Sequence, residues 1–521
     1  MKRRKLPIGI QTFAKMREED HYYVDKTPHI FKMIESGSYY FLARPRRFGK
    51  SLLLDTMGEL FAGNEPLFRD LYIHDKWDWS VTYPVIKLSF GGGVLTSRDE
   101  LTEKLEELLR DNTQRLGITC DYPLGDRRCL AQLIRLAHEK YGRRAVVLVD
   151  EYDKPILDNI NDLPVALQMR EGLRDLYSVI KDSDAHVRFT FLTGVSKFSK
   201  ASLFSGLNNL RDISLTADYA TICGYTETDV DTVFAPELSG FDRNELRRWY
   251  NGYCWLGDGV YNPFDLLLLF QEREFRPYWF ETGTPTFLIN LLIQRRFFTP
   301  DLAGLQTGAE LLSSFDVDSI ATEALLLQAG YLTIGGVRNI PGRQQYTLCY
   351  PNLEVQTSLN EQLCGALVHD RQAQNRLTVR LYDLLLDNDF SGLRELFQAF
   401  YSSIPSDWYR NNAIANYEGY YASVFYSYFA GLGMDVIPED ANEKGRIDMT
   451  VMFNDHVYIF EFKVVEDSPE GRALAQIKAR DYAAKYRGRQ QPIHLIGVEF
   501  SRQSRNIVGF EVADEDNGKA C

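Results

Sequence analysis

The sequence predicts an α/β protein in three parts: an N-terminal parallel sheet covered by helices, a mostly helical middle, and a second, C-terminal α/β domain. Three observations carry this prediction. From about Tyr39 to Leu215, short β-rich runs alternate with longer helical patterns, the rhythm of parallel strands joined by helical crossovers. Between about Gly224 and Arg376 the pattern becomes helices separated by short loops, with starts or bodies at GYTETDV, NPFDLLLLF and TPTFLINLL. Beyond Leu377 come helical stretches, a long helix around Asn416 to Leu432, and two β-rich runs joined by the turn-forming pair Asn454-Asp455; a last helix and the strand PIHLIGVEF follow. The boundaries implied are 1–223, 224–376 and 377–521.

Composition narrows the classes. A chain of 521 residues that is 45% hydrophobic, 13% aromatic and 25% charged can bury sizeable cores and is not a disordered tract. The opening MKRRKLPIGIQTF is basic but has no apolar run of signal length. The longest apolar clusters, such as Leu266 to Phe270, fall far short of the roughly 20 residues that cross a bilayer. The expectation is a soluble cytoplasmic protein with no membrane partner. Seven cysteines with no CxxC pair fit a reducing compartment and not structural zinc. With 59 basic against 72 acidic side chains the net charge is −13, so any nucleic-acid contact must be local.

The candidate N-terminal strands are YYFLA, PVIKLSF, AVVLV, RFTFLTG and DISLT. Directly after YYFLA stands RPRRFGKS, Arg44 to Ser51, and directly after that the helical run LLLDTMGELF. A phosphate-binding loop needs curled backbone N–H groups, a lysine for the terminal phosphates and a Ser/Thr hydroxyl for Mg²⁺ at a helix N-terminus. Gly49, Lys50 and Ser51 supply that second half, while Arg44 replaces the first glycine of the general motif. Arg44, Arg46, Arg47, Phe48, Gly49, Lys50 and Ser51 are the candidate nucleotide contacts. VVLVDE ends a buried strand in Asp150, expected with Ser51 to hold Mg²⁺, and Glu151, expected to orient or deprotonate the water attacking the γ-phosphate. Thr193, followed by Ser196 and Lys197, ends the next strand where a γ-phosphate sensor would sit. PVIKLSF lies between the two motifs, so the loop strand and the Asp150 strand need not be neighbours, as in the ASCE branch of P-loop NTPases. ATP and Mg²⁺ are the expected cofactors.

YYVDKT, RPRRFGKS, VVLVDEYDKPI, LTGVSKFSK, LFSGLNNLRDISL and WYNGYCW together resemble the AAA-ATPase-like family of bacterial proteins, over roughly the first 300 residues. The arginine-rich loop is usual in that family. AAA-type ATPases often hydrolyse ATP between subunits with an arginine in trans; Arg170, Arg174, Arg188 and Arg211 are candidates, which makes a homo-oligomer plausible. The middle segment resembles the helical or winged-helix-like part that follows the core in related ATPases, and its aromatic Tyr250 to Trp255 are read as core.

In the C-terminal part, Asp448 of GRIDMTV is followed by Glu461-Phe462-Lys463 of VYIFEFKV, and hairpin pairing would bring the carboxylates together. Strand alternation sends Glu461 and Lys463 to one face and Phe462 into the core. Two carboxylates suit a hard cation for phosphodiester cleavage, Mg²⁺ or in its place Mn²⁺, with Asp448 and Glu461 as ligands. Lys463 would sit beside the attacking water and stabilise developing charge. The order helix, Asp strand, ExK strand, helix, strand resembles the PD-(D/E)XK nuclease superfamily over about the last 140 residues, specifically the branch commonly fused to AAA-ATPase-like domains. That resemblance implies supporting roles for Glu418 and Gln476; Tyr482 is read as core or rim. The reading is an ATP-gated nuclease acting on nucleic acid, DNA ahead of RNA. The alternative is a nucleotide-dependent switch or interaction module, against which the retained Asp448, Glu461 and Lys463 argue.

Overall fold

The computed structural model of the chain describes residues 3–198, 203–204, 207–281, 286–295, 297–312, 317, 321–368, 371–403 and 418–515. It forms two compact units. One comprises Met1–Thr282 with Gln306–Asn352, the other Gly283–Leu305 with Leu353–Cys521.

The first unit is built on five strands: β1 (Tyr39–Ala43), β2 (Val85–Ser89), β3 (Ala145–Asp150), β4 (Val187–Gly194) and β5 (Arg211–Asp212). They lie in the order β2-β3-β4-β1-β5, every pairing parallel. A sheet covered by helices on both faces explains why these strands read as unbroken apolar runs: Val146 to Val149 are all fully buried. β4 separates β1 from β3, so the strand before RPRRFGKS and the strand carrying Asp150 are not neighbours, which is the ASCE arrangement.

The helix starts in the middle segment follow their capping chemistry. Thr226 and Asp229 form a reciprocal capping box ahead of Glu227–Val233. Asn262 caps Pro263–Glu272, with the proline where its missing N–H costs nothing. The middle is helical as expected, with one addition: β6 (Leu305–Gly308), β7 (Thr333–Ile340) and β8 (Arg343–Cys349) form a small sheet ordered β6-β8-β7. Its hairpin is polar and weakly alternating, which hid it, but Gly342 at φ 84 supplies the turn.

The second unit holds β9 (Asp435–Asn442), β10 (Gly445–Phe453), β11 (His456–Val465), β12 (Ile493–Ser501) and β13 (Ile507–Asp514), in the order β13-β12-β11-β10-β9. β10 and β11 pair antiparallel through a two-residue turn in which Asn454 (φ 48) and Asp455 (φ 61) are both left-handed, the geometry these residues tolerate best. β11 and β12 run parallel. One face of the sheet meets helix Glu418–Gly431 through aromatic rings, with Phe425 5.0 Å from Phe462 and 6.0 Å from Phe460. On the other face Ile447, Val457 and Ile459 pack with Ile477 and Tyr482 from the region of helix Arg472–Ala479. β9 and β13 went unread in the sequence because charge and Pro438 interrupt one and exposed polar residues the other.

Gly497 on β12 sits directly under helix Arg472–Ala479: a Cβ there would lie 2.4 Å from the Leu474 amide nitrogen. Gly497→Ala should therefore lift the helix and cost about 1–3 kcal/mol, as overpacking does. A lowered thermal midpoint with reduced burial of Tyr482 in its fluorescence checks this; an unchanged midpoint contradicts it.

Candidate functional site

In the first unit the C-terminal ends of β1, β3 and β4 face a cavity of about 540 Å³. A cavity of this size is in the range of small-ligand sites. Its lining includes Arg46 to Leu53 of the loop and helix start, Glu151 and Asp153 after β3, and Gly9, Tyr23 and Lys26 from the N-terminal segment. Gly49 takes φ 86 immediately before helix Lys50–Phe61, and nothing stands within 4 Å of where its Cβ would be, so the loop opens to the cavity there.

Lys50 is buried, 7% exposed, and its ammonium donates to the Pro45 carbonyl at 2.9 Å. Burial lowers its pKa, opposed by the negative charge of Asp150. Asp150 in turn accepts a hydrogen bond from Ser51, yet burial still raises its carboxyl above the ordinary range. Glu151 is raised as well, first by burial and then by Asp150, and its backbone is left-handed at φ 50. The side chains expected to meet at the phosphate end, Lys50, Ser51, Asp150 and Glu151, are thus brought together. A buried cation and two carboxylates short of compensating charge beside an open cavity fit a phosphate with its divalent cation.

Two expected contacts lie elsewhere. Arg44 is 1% exposed and points away from the cavity: its guanidinium donates to the carbonyls of Ala43, Ser214 and Tyr219 at 2.8–3.1 Å. It also stacks 4.1 Å over Trp255, and burial lowers its pKa to about 10. It braces the core rather than contacting phosphate. Thr193 is fully buried between strands, its hydroxyl donating to Leu42 O at 3.0 Å. Phe48 lines the cavity, but its ring is held edge-on by Tyr253 at 4.8 Å and Trp255 at 5.3 Å, so the WYNGYCW aromatics are core and brace the loop. Arg47, at φ 72, lies 4.4 Å over Phe264. Arg170 and Arg174 pair with Glu171, and Lys197 with Asp212.

The sequence reading passed over Asp153. It is 1% exposed and accepts the amides of Val195 (3.1 Å) and Ser196 (2.5 Å), which ties the end of β3 to the end of β4; Gly194 leaves the room, since a Cβ there would meet its carboxylate at 2.2 Å. Its place in VVLVDEYDKPI was visible, but not that it turns inward.

In the second unit Asp448 accepts the Phe462 amide at 2.7 Å, fastening β10 to β11 beside Glu461. Glu461 is 1% exposed, and its Oε1 accepts from Lys463 Nζ at 2.9 Å and from Gln476 Nε2. Lys463 also donates to Phe462 O at 2.9 Å. Tyr482 completes the group: its hydroxyl hydrogen-bonds Gln476, and burial first, then the charges of Glu461 and Asp448, raise its pKa. Abundance had placed it with core tyrosines; its spacing of six from Gln476 was the available signal. Glu499, in register with Lys463, accepts four amides, Glu470 to Ala473, at 2.6–3.3 Å, and so pins the start of helix Arg472–Ala479. Burial acts against ionisation of Glu499, but these donors outweigh it and lower its pKa. Glu418 opens helix Glu418–Gly431; its side chain lies outside the described residues. Two carboxylates and a carbonyl gathered at Asp448, Glu461 and Phe462 are a hard-oxygen set that fits Mg²⁺ or Mn²⁺.

A profile of predicted AAA-ATPases matches residues 7–204, and one of the PD-(D/E)XK nuclease superfamily matches residues 416–510. The chain belongs to the family of proteins in which a predicted AAA-ATPase domain is joined to a PD-(D/E)XK nuclease superfamily domain. It is 64% identical over 513 residues, 98% of this chain and 99% of the other, to an uncharacterized protein in the vnfD 5′ region of Azotobacter chroococcum mcd 1. Among solved structures, that of Drosophila ORC bound to AT-rich DNA and Cdc6 matches at 13% identity, covering 64% of this chain and 90% of that one, with a TM-score of 0.18, too low to carry an argument.

Because burial raises the Asp153 pKa to about 6, the folded state holds that proton more tightly than the unfolded chain. The stabilisation this gives is full at low pH and is lost as pH rises through about 4 to 6. Relative to Asp153→Asn, the wild type should lose thermal stability over that window; parallel stability curves for the two proteins between pH 4 and pH 7 would refute it.

Proposed function

We propose that this chain is a divalent-metal-dependent nuclease that hydrolyses phosphodiester bonds at Asp448, Glu461 and Lys463, under control of ATP bound at Lys50. The observation that carries the reading is the grouping of Asp448 on β10, bonded to the Phe462 amide, with Glu461 and Lys463 on the neighbouring β11 and with Gln476, which reaches Glu461 from helix Arg472–Ala479.

Asp448 and Glu461 would hold Mg²⁺, or Mn²⁺ in its place. When bound, that ion supplies Lewis acidity toward the scissile phosphate. Lys463, fixed by Glu461 and the Phe462 carbonyl, holds positive charge beside the attacking water. Gln476 orients the Glu461 carboxylate, Tyr482 steadies Gln476, and Glu418 is proposed as a further acidic support.

In the first unit Lys50 would neutralise the terminal phosphates, with Arg46, Arg47 and the backbone around Gly49 as further contacts. Ser51 and Asp150 would hold the nucleotide's Mg²⁺, and Glu151 would accept the proton of the attacking water. Residues 224–376 contribute to both compact units, which suits a relay between nucleotide and cutting site. We read the protein as cytoplasmic, acting on DNA ahead of RNA, and as able to self-associate for a trans arginine. Among the described residues no helix is long and apolar enough to cross a membrane.

Cleavage of labelled DNA and RNA with Mg²⁺ or Mn²⁺, with and without ATP, tests the proposal. Asp448→Ala and Lys463→Ala should each lower cleavage by about 10²-fold or more, as loss of a preorganised charge does. Lys50→Ala should abolish the effect of ATP and leave ATP-free cleavage intact. Wild type that binds ATP but cuts no substrate with either metal would favour the switch-module reading instead.

A further inference from the structure

The chain as a whole carries net charge −13, yet residues 472–489 hold six basic side chains, Arg472, Lys478, Arg480, Lys485, Arg487 and Arg489, against one acidic, Asp481. Helix Arg472–Ala479 and the two short helical turns after it, Tyr482–Lys485 and Arg487–Arg489, place all six at the surface. Helix alternation buries Ala473, Ile477, Tyr482 and Tyr486 beneath them, so the basic groups form the outward side of one ridge.

Half of these charges have carboxylate partners: Arg472 with Glu470, Lys485 with Asp440, and Arg487 with Asp481 and Glu515. Lys478, Arg480 and Arg489 make no ion pair among the described residues. Arg480 donates to the Lys444 carbonyl at 2.6 Å, and Arg489 lies 5.5 Å over the Tyr486 ring. Cations spent on neutral partners at a surface remain available to an anion.

The ridge adjoins β10, the strand that carries Asp448. Gly445, three residues before Asp448, is flanked by the Tyr482 hydroxyl and the Arg480 guanidinium, which would stand 3.2 and 3.5 Å from a Cβ there. Tyr482 bonds Gln476, and Gln476 bonds Glu461. A backbone lying along Lys478, Arg480 and Arg489 would therefore run alongside β10, the strand that carries Asp448, since Arg480 reaches the Lys444 carbonyl just before that strand and Arg489 the Met452 sulfur near its end.

We infer that this ridge is the docking surface for the phosphodiester backbone of a nucleic acid, with Lys478, Arg480 and Arg489 as its phosphate-contacting positioning residues. The inference rests on the hydrolytic reading of Asp448 and Glu461 for its direction, and on charge and exposure for its location. Phosphate contacts position a strand without reading its sequence, so DNA and RNA would both use the ridge.

Binding of labelled single- and double-stranded DNA and RNA by anisotropy, across a salt series without divalent metal, tests it in the full chain carrying Asp448→Ala. Adding Lys478→Gln, Arg480→Gln and Arg489→Gln should weaken binding at least tenfold. Its salt slope should fall by about 2–3, since each phosphate contact contributes about 0.7–0.9. Each single substitution, measured alongside, should give a fraction of that loss and covers the case of a misfolded triple variant. Unchanged affinity and slope overturn the ridge, as does absence of binding to any of the four nucleic acids. With Asp448 intact, cleavage that keeps its salt dependence in the triple variant overturns the ridge and leaves hydrolysis standing. Ridge-dependent binding without cleavage leaves the ridge standing and removes hydrolysis.

Discussion

Carboxylates removed from water need a compensating charge or donor, because the effective penalty is several kcal/mol per ion. The first unit gathers its carboxylates at and just after a strand end, the second in the middle of two paired strands. In the first, Asp150, Glu151 and Asp153 stand around Lys50; in the second, Asp448 and Glu461 stand around Lys463 and Gln476. Much of the surrounding structure serves these groups. Gly194 clears space for Asp153, Gly445 for Tyr482, and Gly497 for the helix that carries Gln476. Glu499 holds the start of that helix with four amides, so its direction is fixed from the sheet.

The phosphate loop shows how a local departure from a general motif is absorbed. Where the motif has its first glycine this chain has Arg44, and the structure turns that side chain inward onto three carbonyls and the Trp255 ring. The loop is then braced by aromatics on Phe48 and Arg47, while the left-handed turns at Arg47 and Gly49 are kept. An arginine stacked on tryptophan can thus carry a structural load in a loop whose composition reads as phosphate-binding.

The placement of charged groups tied to short, closely spaced motifs was legible in the sequence. GKS after an apolar strand, DE after VVLV, and the Asp–ExK hairpin each fell where the fold places them, and strand alternation correctly turned Phe462 inward and Glu461 toward Lys463. What was lost depended on direction in three dimensions. Arg44 and Thr193 sit in the right sequence positions but face carbonyls within the core. Asp153 had no reading from the sequence, and Tyr482, core as read there, bonds Gln476, a contact that only its neighbours in space reveal. β9 and β13 carry too much charge, and too little alternation, for periodicity to reveal an edge strand.

The central claim is that Asp448 and Glu461 together hold a divalent cation for hydrolysis. Calorimetric titration of Mn²⁺ into the full chain, wild type against Glu461→Gln, tests it most directly. The account predicts a site in the wild type that is absent in Glu461→Gln, with the ATP-linked site at Ser51 and Asp150 unaffected. Identical Mn²⁺ binding by the two proteins would contradict it.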